Sequence, residues 1–112
     1  MSAGRLRIIV GAIAVTALVG CGGDDVSDEE RDQAVTAAQE AYDEARSSGL
    51  ELDVGPCIAE TLPGLDDWVA DIAHDPREDV DDDPANQCRR YREGDASHFV
   101  ELTPEGELIR AE

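Results

Sequence analysis

Three cysteines are the most reactive side chains of this chain: Cys21, Cys57 and Cys88. They do not form a zinc-binding pattern, because the sequence contains no Cys-x-x-Cys pair and no His-x-x-x-His pair. Their odd number matters in an exported protein, where cysteines usually pair as disulfides. One of the three is therefore expected to be used in another way.

A run of aspartates is the part of the sequence best suited to hold a cation, since calcium binds several oxygen ligands at once. The run consists of Asp79, Asp81, Asp82 and Asp83. The EF-hand pattern does not fit, because Pro84 occupies the position of the turn glycine and Arg90 that of the bidentate glutamate. We expect a solvated acidic loop here, with weak calcium binding as the alternative.

The two histidines are not placed for catalysis. His74 ends a predicted helix, where the negative end of the helix dipole favours an imidazolium ion. His98 follows Ser97 in a predicted strand, so their side chains point to opposite faces and cannot form a nucleophile and base. We therefore expect a non-enzymatic protein without a cofactor. A small hydrolase that uses two of the many carboxylates is the alternative.

Three aspartates recur at intervals of four residues, which would place them on one face of a helix. Like charges at this spacing cost roughly 0.2–0.5 kcal/mol per pair, so a basic group is expected to offset them. The acids are Asp67, Asp71 and Asp75, and the internal candidates to pair with them are Arg89, Arg90 and Arg92. Contact of these arginines with a partner is the alternative.

Acidic residues dominate the composition. The 112 residues include 27 Asp and Glu against nine basic residues, a formal net charge of -18, and all nine basic residues are arginine. This balance excludes nucleic-acid binding through a basic face, and the absence of lysine excludes Schiff-base or P-loop chemistry. The length leaves room for one small domain.

Residues 1–20 have the features of an export signal. Two arginines, Arg5 and Arg7, precede an apolar run from Ile8 to Val19 that is too short to cross a bilayer, which needs roughly 20 apolar residues. The segment ends in the motif Leu18-Val19-Gly20-Cys21. This motif resembles the lipobox of bacterial lipoprotein precursors, in which a small residue precedes a cysteine.

The resemblance implies cleavage before Cys21 and attachment of a diacylglyceryl group to its sulfur. Cys57 and Cys88 then remain as a pair, which an oxidising compartment would allow to form a disulfide. In the chain-entropy model, closing a ring of about 32 residues contributes on the order of 3–4 kcal/mol. The mature chain needs such support, because it carries a formal charge of -20 and only 16 Leu, Ile, Val or Phe residues.

The order of predicted elements begins with a long helix. Ser27 and Glu30 form a capping-box signature, an alanine-rich stripe predicts a helix over 28–48, and Gly49 is suited to end it. Residues 50–54 alternate as in a short strand or extended segment, and Pro56 is suited to open a brief helical turn bearing Cys57.

The second half is predicted to contain a helix, a loop and a hairpin. The apolar spacing of Leu65, Trp68, Val69, Ile72 and Ala73 predicts an amphipathic helix in which Trp68 anchors the core. Residues 75–87 predict a surface loop pinned by Cys88. Strands at 97–102 and 107–111 flank a turn at 103–106.

These elements predict an α+β domain over 28–112, in which a long and a shorter helix pack on a small antiparallel sheet with a C-terminal β-hairpin. One disulfide joins Cys57 to Cys88, and residues 21–27 form a lipidated tether. The helix and terminal hairpin resemble PepSY-type modules of exported bacterial proteins. We expect the long helix to cover the apolar side chains of the hairpin, which are Phe99, Val100, Leu102, Leu108 and Ile109.

The sequence thus predicts a monomeric lipoprotein anchored at the extracytoplasmic face of the cell membrane by lipid on Cys21. Its expected role is a non-enzymatic binding or accessory module for an envelope protein. The alternatives are an acidic, calcium-binding or salt-adapted surface protein and a PepSY-like regulatory or inhibitory module.

Overall fold

A computed structural model describes residues 26–112. The predicted signal, Cys21 and most of the tether lie outside these residues. The described part has the predicted α+β class, with a four-stranded sheet and two α-helices. The elements in chain order are α1 (Asp28–Ser47), β1 (Cys57–Ala59), β2 (Trp68–Ile72), α2 (Arg89–Arg92), β3 (His98–Leu102) and β4 (Leu108–Ala111).

Helix α1 begins and ends as the sequence predicts. The hydroxyl of Ser27 accepts a hydrogen bond from the backbone N–H of Glu30 at 3.1 Å, and Gly49 follows the helix with a φ of 82°. The carboxylate of Glu30 does not complete a capping box, since it accepts a hydrogen bond from the indole N–H of Trp68 at 3.2 Å. Ala34 and Ala38 are fully buried, so α1 lies close against the sheet.

The predicted amphipathic helix at 65–73 is wrong: Trp68–Ile72 form strand β2. Four of its five residues are buried, because β2 lies between β1 and β3 and is covered on both faces. A strand buried on both faces has a nearly continuous apolar sequence, which periodicity cannot distinguish from a helix. The predicted role of Trp68 as a core anchor is confirmed, since the residue is 1% exposed.

The sheet is mixed, whereas the sequence predicted an antiparallel one. Its strand order is β1-β2-β3-β4, with β2 and β3 parallel and the two outer pairs antiparallel. A parallel pair needs a long connection, and residues 73–97 provide it. This crossover includes the predicted loop at 75–87, which contains a 3-10 helix over Asp79–Asp82, and then α2.

The segment between α1 and β2 differs from both predictions made for it. Leu52–Val54 form a 3-10 helix and no strand, and Cys57–Ala59 form strand β1 and no helical turn. Gly55 separates them with a φ of 71°, and a Cβ atom there would lie 2.5 Å from the carboxylate of Asp81. The backbone conformation that Gly55 allows therefore sets the path into β1.

The C-terminal hairpin is confirmed, with β3 and β4 joined by a turn at 103–107. The turn packs against α1, because the hydroxyl of Tyr42 donates to the carbonyl of Pro104 at 2.8 Å and a Cβ atom at Gly106 would lie 2.8 Å from the Tyr42 ring. The prediction that α1 covers all the apolar hairpin residues is wrong in part. Phe99 lies on the opposite face of the sheet and Leu108 is 48% exposed.

The predicted Cys57–Cys88 disulfide is present, with a Cα–Cα distance of 4.8 Å. It joins the start of β1 to the residue before α2 and so fixes the crossover to the sheet. Among residues 26–112, no helix combines the length and the apolar character that crossing a bilayer requires.

Candidate functional site

The two faces of the sheet differ in what covers them. Helix α1 covers one face, and the crossover covers only part of the other, which we call the open face. A pocket of about 540 Å³ lies between the open face and the crossover. Its lining from the sheet comprises Val69, Asp71, Phe99, Glu101, Arg110 and the following Glu112. Its lining from the crossover comprises Arg77, Gln87, Cys88, Tyr91 and Arg92.

Strand alternation places the polar floor of this pocket. Asp71 and Glu101 are register partners on the parallel strands β2 and β3, so both side chains point to the open face. Arg110 is the partner of Glu101 on β4 and points the same way. The pocket therefore has carboxylates and a guanidinium, whereas the other face of the same strands holds the core residues Ala70, Ile72, Val100, Leu102 and Ala111.

Asp71 has one carboxyl oxygen without a hydrogen-bond partner among residues 26–112. Its Oδ1 atom is buried and has no hydrogen-bond partner among the described residues. Burial, followed by repulsion from Glu101, raises the pKa of Asp71 to about 8, although the Ile72 backbone and Arg77 act in the opposite direction. A buried carboxyl oxygen without a donor is costly in an unliganded protein and available to a ligand.

Glu101, in contrast, has hydrogen-bond donors at both of its carboxylate oxygens. It is 5% exposed, and its two carboxylate oxygens accept from different arginines. Arg77 donates to Oε2 at 3.1 Å and Arg110 donates to Oε1 at 2.6 Å. The pair of arginines neutralises Glu101 and ties the crossover to β3 and β4.

Two aromatic rings form the apolar part of the pocket. Tyr91 and Phe99 meet edge to face with their centroids 5.1 Å apart, and the guanidinium carbon of Arg110 lies 5.2 Å from the Phe99 centroid. Tyr91 is 43% exposed. Its ring is therefore accessible to a ligand, whereas one face of Phe99 is already occupied.

The predicted face of three aspartates does not exist, because β2 is a strand. Only Asp71 of the three lines the pocket. The carboxylate of Asp67 accepts from the backbone N–H of Ser97 at 2.9 Å and lies 3.5 Å from His98. Asp75 lies in the crossover beyond the strand and is exposed.

The predicted pairing of α2 arginines with these aspartates is also wrong. Arg90 donates to the backbone carbonyl oxygens of Glu60, Asp66 and Asp95 at 2.6, 2.7 and 3.2 Å. Arg89 lies 3.9 Å from Glu93, the residue that follows α2. Arg92 reaches the pocket and forms no ion pair with any residue of 26–112, while one of its N–H groups donates to a backbone carbonyl in the crossover at 3.4 Å.

The four aspartates proposed for calcium have separate roles. Asp81 is 3% exposed and accepts from the backbone N–H groups of His74 and Glu78, each at 2.9 Å. Asp82 pairs with Arg77 at 2.9 Å. Of the remaining two, Asp83 accepts from a backbone N–H two residues on, and Asp79 is exposed.

His74 was predicted to end a helix, but the element before it is strand β2. Its Nδ1 atom lies 2.9 Å from the carboxylate of Asp81, and this hydrogen bond raises the pKa of His74. Burial opposes ionisation of Asp81, but the hydrogen bonds from the Glu78 and His74 backbone lower its pKa overall. The pair ties the crossover to the end of β2. His98 stacks on Trp68 with centroids 4.9 Å apart.

One group of potential metal ligands occurs among the described residues. It consists of Cys57, Glu60 and Cys88, whose ligand atoms lie within 4.8 Å of one another. Both sulfur atoms are bonded to each other in the disulfide, so they are not thiolate ligands.

Sequence reasoning found Asp71 but assigned it to a helix face, and it missed Glu101, Arg77, Arg110 and Tyr91 as neighbours. One signal was available within β3, where Glu101 stands between two buried apolar residues. Because side chains alternate along a strand, an acid between two buried residues points to the face opposite theirs. Glu101 therefore belongs to the same face as Phe99.

Comparison of the chain with protein-family models, with curated proteins and with solved structures finds no match.

Proposed function

We propose that this chain is a lipid-anchored extracytoplasmic module of the bacterial cell envelope that binds a ligand or partner in the open-face pocket and has no enzymatic activity. The observation that carries the binding role is the pocket itself. It contains a buried carboxyl oxygen that has no hydrogen-bond partner within residues 26–112, at a place where three of the seven arginines outside the predicted signal meet.

The proposed location is supported by two features of the cysteines. The motif that ends at Cys21 resembles a lipobox, and Cys57 and Cys88 form a disulfide. Disulfides form and persist mainly outside the cytosol. Attachment of lipid at Cys21 would also account for the odd cysteine.

The non-enzymatic character is supported by the engagement of both histidines. His74 is hydrogen-bonded to Asp81, and His98 stacks on Trp68 beside Asp67. Within residues 26–112, neither imidazole is hydrogen-bonded to a hydroxyl or thiol, as a nucleophile and base would be.

The anchor is tested by replacing Cys21 with serine in the full chain expressed in its bacterial host. We expect wild-type protein in detergent-soluble envelope fractions, with an intact mass that reports cleavage before Cys21, one attached lipid and one disulfide. Cys21→Ser should lose both cleavage and lipid. Gly23→Ser, which adds a serine close by but keeps the cysteine, should behave as wild type.

The anchoring proposal is overturned if Cys21→Ser is matured and retained in the envelope as before. It is equally overturned if the wild-type protein keeps Met1 or contains three free thiols.

A further inference from the structure

The two carboxylates on the floor of the open-face pocket, Asp71 and Glu101, differ in how their oxygens are hydrogen-bonded. Both oxygens of Glu101 already accept from arginines, at 3.1 and 2.6 Å. Oδ1 of Asp71 is buried and accepts from no group of the described residues. A ligand donor therefore finds its free acceptor at Asp71.

The charge of the whole chain favours a cation at this acceptor. The guanidinium groups of Arg77 and Arg110 are engaged by Glu101, which limits their attraction for a ligand anion. The net charge of -18 repels anions and raises the local concentration of cations around the protein. Among residues 26–112, Arg92 at the pocket wall is the arginine of the lining that forms no ion pair.

The shape of the pocket sets the size of the ligand. A volume of about 540 Å³ is within the range that holds small organic molecules. The exposed ring of Tyr91 and the buried Val69 provide an apolar wall for an alkyl chain. A compact ammonium group on a short alkyl chain combines the donor that Asp71 lacks with a body that this wall can contact.

We propose that the open-face pocket binds a protonated primary amine on a short alkyl chain, with the ammonium group donating to Oδ1 of Asp71. This inference rests on the proposed function of the pocket as a binding site. Two sources share this chemistry, namely a free alkylamine and the lysine side chain of an envelope protein.

The binding has a defined proton balance. Asp71, with a pKa of about 8, is mostly protonated at neutral pH, so binding of an ammonium ion transfers its carboxyl proton to the solvent. The charged groups that face Asp71 are Glu101 on β3, Arg110 on β4, and Arg77 and Asp81 in the crossover, with Arg92 and Glu112 at the pocket wall. Amine affinity should therefore rise as the pH is raised towards 8.

The test is titration calorimetry on the full chain, extracted from membranes in detergent, with 1-aminopentane as the first probe. We expect binding with release of a proton, seen as a heat that changes between buffers of different ionisation enthalpy. 1-Pentanol and pentanoate, which share the alkyl chain, should not bind. Asp71→Asn should weaken amine binding about 30-fold, the effect of losing about 2 kcal/mol of a desolvated charge pair.

Two further variants separate charge from folding. Asp43→Asn makes the same substitution on the exposed side of α1 and should leave the affinity unchanged. Arg92→Gln removes a cation from the pocket wall and should strengthen amine binding, whereas it would weaken binding of an anion. Proton release by the wild-type protein tests the role of Asp71 even if Asp71→Asn does not fold.

The source of the amine is resolved by comparing 1-aminopentane with Nα-acetyl-lysine amide and an extended lysine-containing peptide. Binding of the free amine supports a small-molecule ligand, and binding of the lysine forms alone supports a protein partner. The inference is overturned if no amine binds, if pentanoate binds in its place, or if Asp71→Asn binds amine as wild type does. Binding of pentanoate would leave the binding function standing, and loss of Cys21-dependent anchoring would be seen separately by fractionation.

Discussion

The two faces of one small sheet carry opposite chemistry. On the α1 face, Trp68, Ile72, Val100 and Leu102 are at most 1% exposed and pack against an alanine stripe. On the open face, the alternate positions of the same strands hold Asp71 and Glu101. Each strand therefore contributes at once to the core and to the pocket, since consecutive side chains point to opposite faces.

The difference shows how a chain with few large apolar residues distributes them between the two faces of its sheet. The α1 face concentrates the large buried side chains and provides the packing that stabilises the fold. The open face is held by a disulfide, by ion pairs and by the crossover, and it leaves a polar cavity. We therefore expect substitutions on the α1 face to lower the free energy of unfolding and those on the open face to alter binding and pH dependence.

The largest expected loss of unfolding free energy comes from a substitution on the α1 face. Trp68→Ala should lower the free energy of unfolding by about 3–5 kcal/mol, because it leaves a cavity under α1 and removes the hydrogen bond to Glu30. The matched change on the open face, Tyr91→Ala, should cost less than about 1 kcal/mol, because that ring is 43% exposed. Urea unfolding of both variants measures the difference, and equal losses would contradict the division between the faces.

The second effect concerns the link that holds the crossover on the open face. Replacing Cys57 and Cys88 together with serine should lower the free energy of unfolding by about 3 kcal/mol, since the unfolded chain regains the freedom of the closed ring. The double variant should also lose amine affinity, because the crossover supplies one wall of the pocket. Reduction of the wild-type protein should reproduce both losses, and stability unchanged by reduction would refute the prediction.

The smallest expected effect is on the pH dependence of the free energy of unfolding, and it comes from Asp71 on the open face. The pKa of Asp71, about 8, lies above its ordinary value of 3.8, so the folded state holds this proton more tightly than the unfolded chain does. The contribution to stability is therefore fully present below about pH 4 and is lost as the pH rises to about 8. Asp71→Asn removes this loss and should be more stable than wild type by about 1–3 kcal/mol at about pH 8, with screening in the open pocket reducing the gain.

Unfolding by urea at several pH values from about 4 to about 8 measures this change. His74 and Asp81 titrate in both proteins, so their contributions cancel in the difference. Asp43→Asn is the control with the same substitution at an exposed position, and it should follow the wild-type curve. A wild-type curve parallel to that of Asp71→Asn across this range would show that Asp71 titrates normally.

The parts of the fold that sequence reasoning found are those set by local chemistry. Ser27 and Gly49 mark the ends of α1 because capping and a positive φ involve only nearby residues. The C-terminal hairpin is also local, since its two strands are joined by a short turn. The pairing of Cys57 with Cys88 could be predicted by counting cysteines, on the expectation that Cys21 carries lipid.

The nature of β2 and the pocket could not be found in the same way. Residues 68–72 have a spacing that suits a helix, and only pairing with β1 and β3 makes them a strand. The parallel pairing of β2 with β3 brings Asp71 beside Glu101, which lies 30 positions further along the chain. No local pattern encodes that register.

The sequence by itself determined the α+β class, the ends of α1, the hairpin and the cysteine pair, because each depends on short-range geometry or on counting a rare residue. The tertiary structure alone decided that a strand buried on both faces runs through the centre, and that one carboxyl oxygen of Asp71 accepts from no donor of residues 26–112. The physical reason is that burial and electrostatic environment arise from contacts between distant segments, which a run of neighbouring residues does not contain.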